Sequence, residues 1–358
     1  MQDVILITGG AGFIGCAVAK GLGGFNQKIV AVDNMHPQIH RSPERPAALP
    51  ADVDLIVGDV CDDVFWDGFL AEYRPSVILH FAAETGTAQS LTESTRHAMV
   101  NVVGTTQMLD ALGRAKILPG HIVLSSSRAI YGEGAWQGSQ GERFYPDLRS
   151  HAQLSAKNWD LMQDGQRGRP LPHRASDTNA NPSSIYGATK LTQEHILKSW
   201  CAAMHVPVSI LRFQNVYGPG QSPFNPYTGI INLFHRTAYA GGTIEVYEDG
   251  QIGRDFVFID DVADAVVAAI HMPPTVIRTL DVGSGVPTTI LEAARHIAEL
   301  HGAPEPVICG KFRDGDIRWA VADVQDLEAD LGVQAKVDFL KEGAKLVGEW
   351  LIDKGYMA

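Results

Sequence analysis

Apolar residues in the first third of this chain come in short unbroken runs. Residues 4–8, 28–33, 53–57, 76–81 and 121–124 each carry such a run, and runs of that length bounded by turn formers predict strands buried on both faces. Between them the apolar positions take helical spacing. That spacing predicts a helix over 13–22 and a long one filling much of 91–115. Residues 41–50, with Pro43, Pro46 and Pro50, read as a loop. Buried strands alternating with helices predict a parallel sheet covered on both faces. Residues 133–182 break the alternation: rich in Gly, Arg, Pro and Asn, they read as an extended insertion with at most one short helix. A helix over 184–205 and a strand over 208–212 resume it. Short strands over 243–247, 255–258 and 279–282, mixed with helices over 260–271, 289–300 and 338–352, predict a smaller, partly separate lobe. The expected division is residues 1–182, holding the first part of the sheet and the insertion at 133–182, and residues 183–358, which complete the sheet and add the lobe.

Composition narrows the classes. The chain has 358 residues, 45% hydrophobic and 20% charged, an ordinary globular balance. With 29 basic against 41 acidic residues the net charge is −12, so neither nucleic acid nor an anionic membrane is an expected partner. An anionic ligand must then be held by a few placed arginines. Cys16, Cys61, Cys201 and Cys309 stand far apart with no metal-ligand spacing, which predicts reduced thiols, no metal and a cytoplasmic protein. The first strand leaves no room for a signal peptide, and no apolar run approaches the ~20 residues that span a bilayer.

Directly after the first strand, Gly9, Gly12 and Gly15 have G-x-x-G-x-x-G spacing. The first lets the chain turn sharply, the second lets backbone approach a pyrophosphate, and the third lets the helix pack closely on the sheet. The helix start adds free N–H groups and a partial positive charge. Asp33 ends the second strand, where a carboxylate can accept both ribose hydroxyls of an adenosine and repel a 2′-phosphate. The cofactor expected is therefore NAD. Asp59 and Val60, after the third strand, are placed to meet the adenine. The fold class that follows is α/β: a Rossmann-type doubly wound parallel sheet with a smaller C-terminal mixed α/β substrate lobe.

Tyr186 and Lys190 lie four apart and so share a helix face. A free Tyr has a pKa of about 10 and is a poor base at neutral pH; a nearby ammonium and a positive nicotinamide both favour the phenolate. Lys190 can also hold the nicotinamide ribose. Ser125, Ser126 and Ser127, at the carboxyl end of the fifth strand, supply hydroxyls where α/β sites form.

These residues resemble the extended short-chain dehydrogenase/reductase family, the NAD-dependent nucleotide-sugar epimerases and dehydratases. The likeness runs from the glycine turn to about residue 330. Its marks are TGGAGFIG at 8–15, GDV at 58–60, HFAAE at 80–84, NVVGT at 101–105, SSS at 125–127 with IYG at 130–132, YGATK at 186–190, LRFQNVYGPG at 211–220, GRDFVFIDDVADA at 253–265 and FRDGDIRWA at 312–320. The resemblance implies Ser127, Tyr186 and Lys190 as catalytic residues. Around NAD it implies Phe13, Ile14, Asn34, Phe81, Ala82, Ala83, Asn101, Ser125 and Phe213, beside the glycines, Asp33, Asp59, Val60, Tyr186 and Lys190. On the substrate it implies Thr85, Ser127 and Asn215, with Arg254 and Arg313 gripping phosphates; surface ion pairing is the alternative for the two arginines. It also implies a homodimer packed through the helices within 91–115 and 184–205, and a role in carbohydrate biosynthesis of the O-antigen type.

Two departures narrow the chemistry. Dehydratases of this family carry an acidic pair after the catalytic hydroxyl, and here those places hold Arg128 and Ala129, neither of which can act as such an acid. Arg128 either contacts substrate or anchors the insertion. No Cys–His pair accompanies the Tyr, as epimerisation at C3 and C5 would need. Within the family, AAETGTAQS at 82–90, SSRAIYGEG at 126–134, the insertion and QSPFNPYTG at 221–229 look like the dTDP-L-rhamnose 4-epimerase subgroup. Some members carry clustered cysteines in this insertion; residues 133–182 have none. Residues 85–89 and 225–228 are either sugar or nucleotide contacts, or loop turns and caps. The resemblance implies oxidation and re-reduction at C4 with the nucleoside diphosphate clamped. A UDP-hexose 4-epimerase, a nucleotide-sugar 4-ketoreductase or dehydrogenase, and a non-catalytic NAD(P) sensor remain as alternatives.

Overall fold

A computed structural model describes residues 2–225 and 229–357. Strands β1 (Gln2–Thr8), β2 (Lys28–Asp33), β3 (Asp54–Val57), β4 (Tyr73–His80), β5 (His121–Ser127), β6 (Val208–Phe213) and β7 (Ile277–Val282) form one sheet in the order β7-β6-β5-β4-β1-β2-β3. Every pairing in it is parallel. The order reverses beside β1, between β2 and β4, and ligands of doubly wound sheets bind in the crevice at the carboxyl ends there.

The principal helices are α1 (Phe13–Gly21), α2 (Asp63–Glu72), α3 (Gly104–Ala115), α4 (Ile185–Met204), α5 (Ile230–Tyr239), α6 (Ile259–His271), α7 (Ile290–His301) and α8 (Ala344–Asp353). On one face of the sheet, Val18 and Ala19 of α1 pack with Val262, Val266 and Ala269 of α6 against Ile5, Ile7 and Leu211. On the other, Trp66, Met108, Leu112 and Leu197 from α2, α3 and α4 cover Val4, Leu6 and Ile122. A third core joins α5, α7 and α8 over Tyr217, Phe256 and Phe258 and makes the C-terminal lobe. Its strands Asn215–Tyr217, Gly253–Phe258 and Pro287–Thr289 form a small sheet.

Two regions differ from the pattern read in the sequence. The helix expected over 91–115 is broken: Gln89–Thr92 ends at Glu93 (φ −123°), then Ser94–Ala98 passes through a π-helical turn, Met99–Val103, into α3. Such turns carry one extra residue and are frequent at functional sites; this one buries Asn101 completely. The insertion has its one short helix, His151–Ser155, but is not otherwise merely extended. Trp136–Gln137 pairs with both Arg143–Phe144 and Arg169–Pro170, and Met162–Gln163 pairs with Gln166–Arg167. Strands of two residues are too short to show periodicity.

Buried charges pin the insertion to the lobe. Arg149 donates to Glu248 at 2.6 Å, and Arg318 donates to Glu248 at 3.1 Å and to both oxygens of Asp249 at 2.6 and 2.7 Å. The backbone N–H of Arg318 donates to Glu133. The four cysteines are free. Among the described residues no helix is long and apolar enough to cross a membrane, and no group of three His, Cys, Asp or Glu side chains could hold a metal.

Candidate active site

The crevice beside β1 is built from backbone. Gly9 has φ +67°, and a Cβ there would lie 2.8 Å from the Ala82 nitrogen. A Cβ on Gly15 would lie 2.5 Å from the Gly9 carbonyl oxygen, so α1 can sit this close only with glycine. Helix α1 starts from Gly12 with no side-chain cap and no acidic residue in its first turn. Its N–H groups are therefore open to an anion. Phe13 and Ile14 open the helix, Phe13 lying against Gly220 of the lobe. At the end of β2 the Asp33 carboxylate accepts from Ala11 N (3.1 Å) and Met35 N (2.9 Å), with His40 Nε2 at 3.4 Å. Asn34 Nδ2 donates to Asp59 at 3.3 Å, and Val60 beside it is buried.

A buried hydrogen-bond chain braces this crevice. Thr8 Oγ1 accepts from Phe81 N and Ala82 N, both at 3.2 Å, which fixes the loop carrying Phe81, Ala82 and Ala83. His80 bridges Thr8 Oγ1 (2.8 Å) and Thr105 Oγ1 (3.0 Å); burial pushes its pKa down to about 3, so the ring is neutral. Ser125 Oγ donates to His80 O at 3.4 Å. Asn101 accepts from Glu84 N (2.9 Å) and donates to Glu84 O (3.0 Å) and Thr189 Oγ1 (2.9 Å). Its amide thus joins the loop after β4 to α4. Phe213 is buried under the sheet's carboxyl end. An uncapped helix start, a turn closed to side chains and a fixed carboxylate together fit a dinucleotide.

Beside it stand two hydroxyls. Ser127 ends β5 and caps the 3₁₀ turn Arg128–Tyr131, its Oγ accepting from Ala129 N at 3.2 Å. Ser184 caps α4, accepting from Gly187 N at 3.0 Å, so Tyr186 falls in the first helical turn. A Cβ on Gly187 would lie 2.4 Å from Ala129 O; glycine there lets the two elements touch. The Ser127 hydroxyl is thereby near enough to the Tyr186 phenol to act on its ionisation. Burial raises the phenol pKa, while the Ser127 hydroxyl and the Arg128 guanidinium pull it back.

Lys190 is buried on the same helix, one turn after Tyr186. Its ammonium donates to Gln193 Oε1 at 2.5 Å, and Gln193 Nε2 donates to Thr105 Oγ1 at 2.8 Å. Burial pushes the Lys190 pKa down to about 7, against the attraction of Glu194. The Arg128 guanidinium is a cation near enough to Tyr186 to act on its ionisation. The sequence reading also passed over His97. Its ring meets Tyr186 edge-on at 6.4 Å, with Nδ1 2.9 Å from Glu93 O and Nε2 3.4 Å from Thr85 O. Its place four residues before Asn101 in the sequence was the available signal.

On the lobe side, Arg128 Nε donates to Asn215 Oδ1 at 2.9 Å. Arg254 is buried, its terminal nitrogens donating to Gly253 O (2.8 Å) and Ile317 O (2.9 Å). Arg313 is exposed, 5.2 Å from the Tyr247 ring centroid. None of these three arginines forms an ion pair among the described residues, so ion pairing does not explain them. Thr85 is exposed after β4, Asn225 is buried, and residues 226–228 of the second expected sugar-contact loop lie outside the described residues.

Comparison with known proteins agrees with this geometry. The profile of the NAD dependent epimerase/dehydratase family matches residues 5–152 and 163–283. A dTDP-L-rhamnose 4-epimerase of Burkholderia thailandensis is 53% identical over 92% of this chain and 89% of its own. A UDP-glucose 4-epimerase of Mycolicibacterium smegmatis is 29% identical over 96% of both. Among solved structures, UDP-glucose 4-epimerase of Thermotoga maritima with UDP-glucose superposes with a TM-score of 0.77 at 25% identity, covering 99% of each chain. With the profile matched across the sheet and a relative more than half identical along nearly the whole chain, the protein belongs to the NAD dependent epimerase/dehydratase family and is an NAD-dependent enzyme.

Proposed function

We propose that this enzyme inverts C4 of a nucleotide sugar, and that its substrate is a dTDP-6-deoxyhexose such as dTDP-L-rhamnose. The observation that carries the reading is the Ser127–Tyr186 hydroxyl pair, set between a dinucleotide crevice and arginines that have no carboxylate partner. NAD held by the glycine turn, Asp33 and the start of α1 supplies a positive nicotinamide that can take and return a hydride. Tyr186, as phenolate, removes the proton of the C4 hydroxyl and later returns it. Ser127 donates to the same oxygen and keeps it in line. Asn215, Arg254 and Arg313 hold the diphosphate while the sugar turns, so that remote binding energy positions the reacting carbon. Arg128 and Ala129 in place of an acidic pair argue against dehydration.

The reading is tested by incubating the purified protein, without added NAD, with dTDP-, UDP- and GDP-sugars and following C4 by NMR. Inversion of dTDP-L-rhamnose is expected. Inversion confined to UDP-hexoses would replace the substrate, and reduction that needs added NADH would replace the reaction.

The same reading includes a homodimer. Helices α3 and α4 leave a groove of about 570 Å³ lined by Thr106, Leu109, Asp110, Thr192, His195, Ile196, Ser199 and Trp200, mostly apolar in surface. The same helix pair of a second copy would cover this groove in the proposed dimer. Ile196→Glu should give monomers in sedimentation where the parent sediments as a dimer; a monomeric parent would remove the dimer from the proposal.

A further inference from the structure

We propose that Arg128 is a diphosphate-binding residue, which together with Arg254 fixes the phosphate next to the sugar at a set distance from the Ser127–Tyr186 pair. The proposal deepens the nucleotide-sugar reading above and rests on it. Arg128 follows Ser127 directly and leaves the sheet at the same edge. Its Nε donates to Asn215 Oδ1 at 2.9 Å. This orients Asn215 so that its Nδ2, which has no partner among the described residues, is free to donate. The terminal nitrogens of Arg128 likewise have no protein acceptor among the described residues. Three donor groups on two adjacent side chains thus converge with nothing of the protein to receive them.

The charge around them points the same way. Burial depresses the basicity of Arg128, and Arg254 stands near enough to add to it, so that the guanidinium falls to about 9. Two like charges in a half-buried cleft repel each other in a medium less polar than water. Asp316 and Glu133 are the carboxylates nearby that favour the charged form. Neither is within ion-pairing distance of Arg128 or Arg254, and Glu133 is already taken by the Arg318 backbone and by Arg149 at 3.7 Å. The pair therefore lacks an anion. A guanidinium fork matches two phosphate oxygens, and a diphosphate carries the charge to satisfy both arginines.

Anchoring the insertion, the other role open to Arg128, has no support in the contacts. Its hydrogen bond crosses to the strand Asn215–Tyr217, outside residues 133–182, whereas the insertion is held by Arg149 on Glu248 and by the Arg318 backbone on Glu133. A lysine or a neutral side chain at 128 would lose the bidentate grip.

The test is calorimetric binding of thymidine 5′-diphosphate and thymidine 5′-monophosphate to the NAD-loaded protein, parent against Arg128→Gln and Arg128→Lys. Loss of a charged hydrogen bond predicts that Arg128→Gln weakens the diphosphate by about ten- to hundredfold, with the monophosphate changed by less than about threefold on the same grounds. Arg128→Lys should recover part of the loss. Equal weakening of both nucleotides, or no weakening of the diphosphate, would overturn the proposal. Arg128→Lys, with its charge kept, gives the same comparison if the Gln variant does not fold. Should the parent bind uridine nucleotides instead, the UDP/UMP pair reads the same ratio. A parent that binds diphosphates through Arg128 yet inverts no sugar would sink the epimerase reading and leave this one standing.

Discussion

Tyr186→Phe should lower the rate of C4 inversion by about 10²–10⁴-fold, the range expected when a positioned proton-transfer group is removed. NAD content, measured by absorbance after denaturing the purified protein, should be unchanged, because the glycine turn, Asp33 and the start of α1 are untouched. The fold should also hold, since the ring keeps its edge-on contact with His97. The pH profile gives an independent reading. A phenol acting as base must ionise, so the rate should climb with pH. Burial raises this phenol, and the Ser127 hydroxyl and Arg128 oppose that rise. Ser127→Ala removes one of the two opposing groups, so the climb should move to higher pH and the rate at neutral pH should fall. Activity of Tyr186→Phe comparable to the parent would reject Tyr186 as the proton carrier.

The parts of this site legible from the amino acids are those where the backbone itself imposes the residue. Gly9 needs a positive φ, and Gly15 has no room for a Cβ, so their spacing could be read directly as a turn and a close contact. The apolar runs of the sheet were equally plain, because strands buried on both faces admit little else. What could not be read were choices made by side chains among several partners. Four-residue spacing put Lys190 on the face of Tyr186 but did not show its hydrogen bond to Gln193 at 2.5 Å, which depends on which acceptor lies close to a buried ammonium. The π-helical turn at Met99–Val103 shifts the face of everything before it, which a regular helical count over 91–115 cannot show. Arg128 was visible as a departure from a motif, while its bond to Asn215 depends on two elements far apart in sequence.

Glu194→Ala should cost about 3–5 kcal/mol of stability, as removal of one partner from a buried ion pair does. Glu194 is fully buried. It accepts from Ser126 Oγ at 2.5 Å and from Arg212 Nε and Nη2 at 3.0 and 2.8 Å. Arg212 in turn donates to the Tyr131 hydroxyl at 2.8 Å, which donates to Asp281. Burial pushes the Glu194 pKa up, but Arg212 and Ser126 more than offset it and the net shift is down. The stabilisation should therefore be full above the unfolded value of about 4.5 and decline as pH falls below it, where the gap between parent and Glu194→Gln should narrow. Because Ser126 and Glu194 clamp β5 to α4, the elements carrying Ser127 and Tyr186, the single variant should also lose activity at temperatures where it is still folded. Glu194→Leu with Arg212→Met should regain part of the stability, since neither member of the Glu194–Arg212 pair is then left buried without the other, without regaining the activity. A cost below about 1 kcal/mol for Glu194→Ala in denaturant unfolding, under what breaking a buried pair requires, would mean that water reaches Arg212 and that the clamp does not hold the two hydroxyls together.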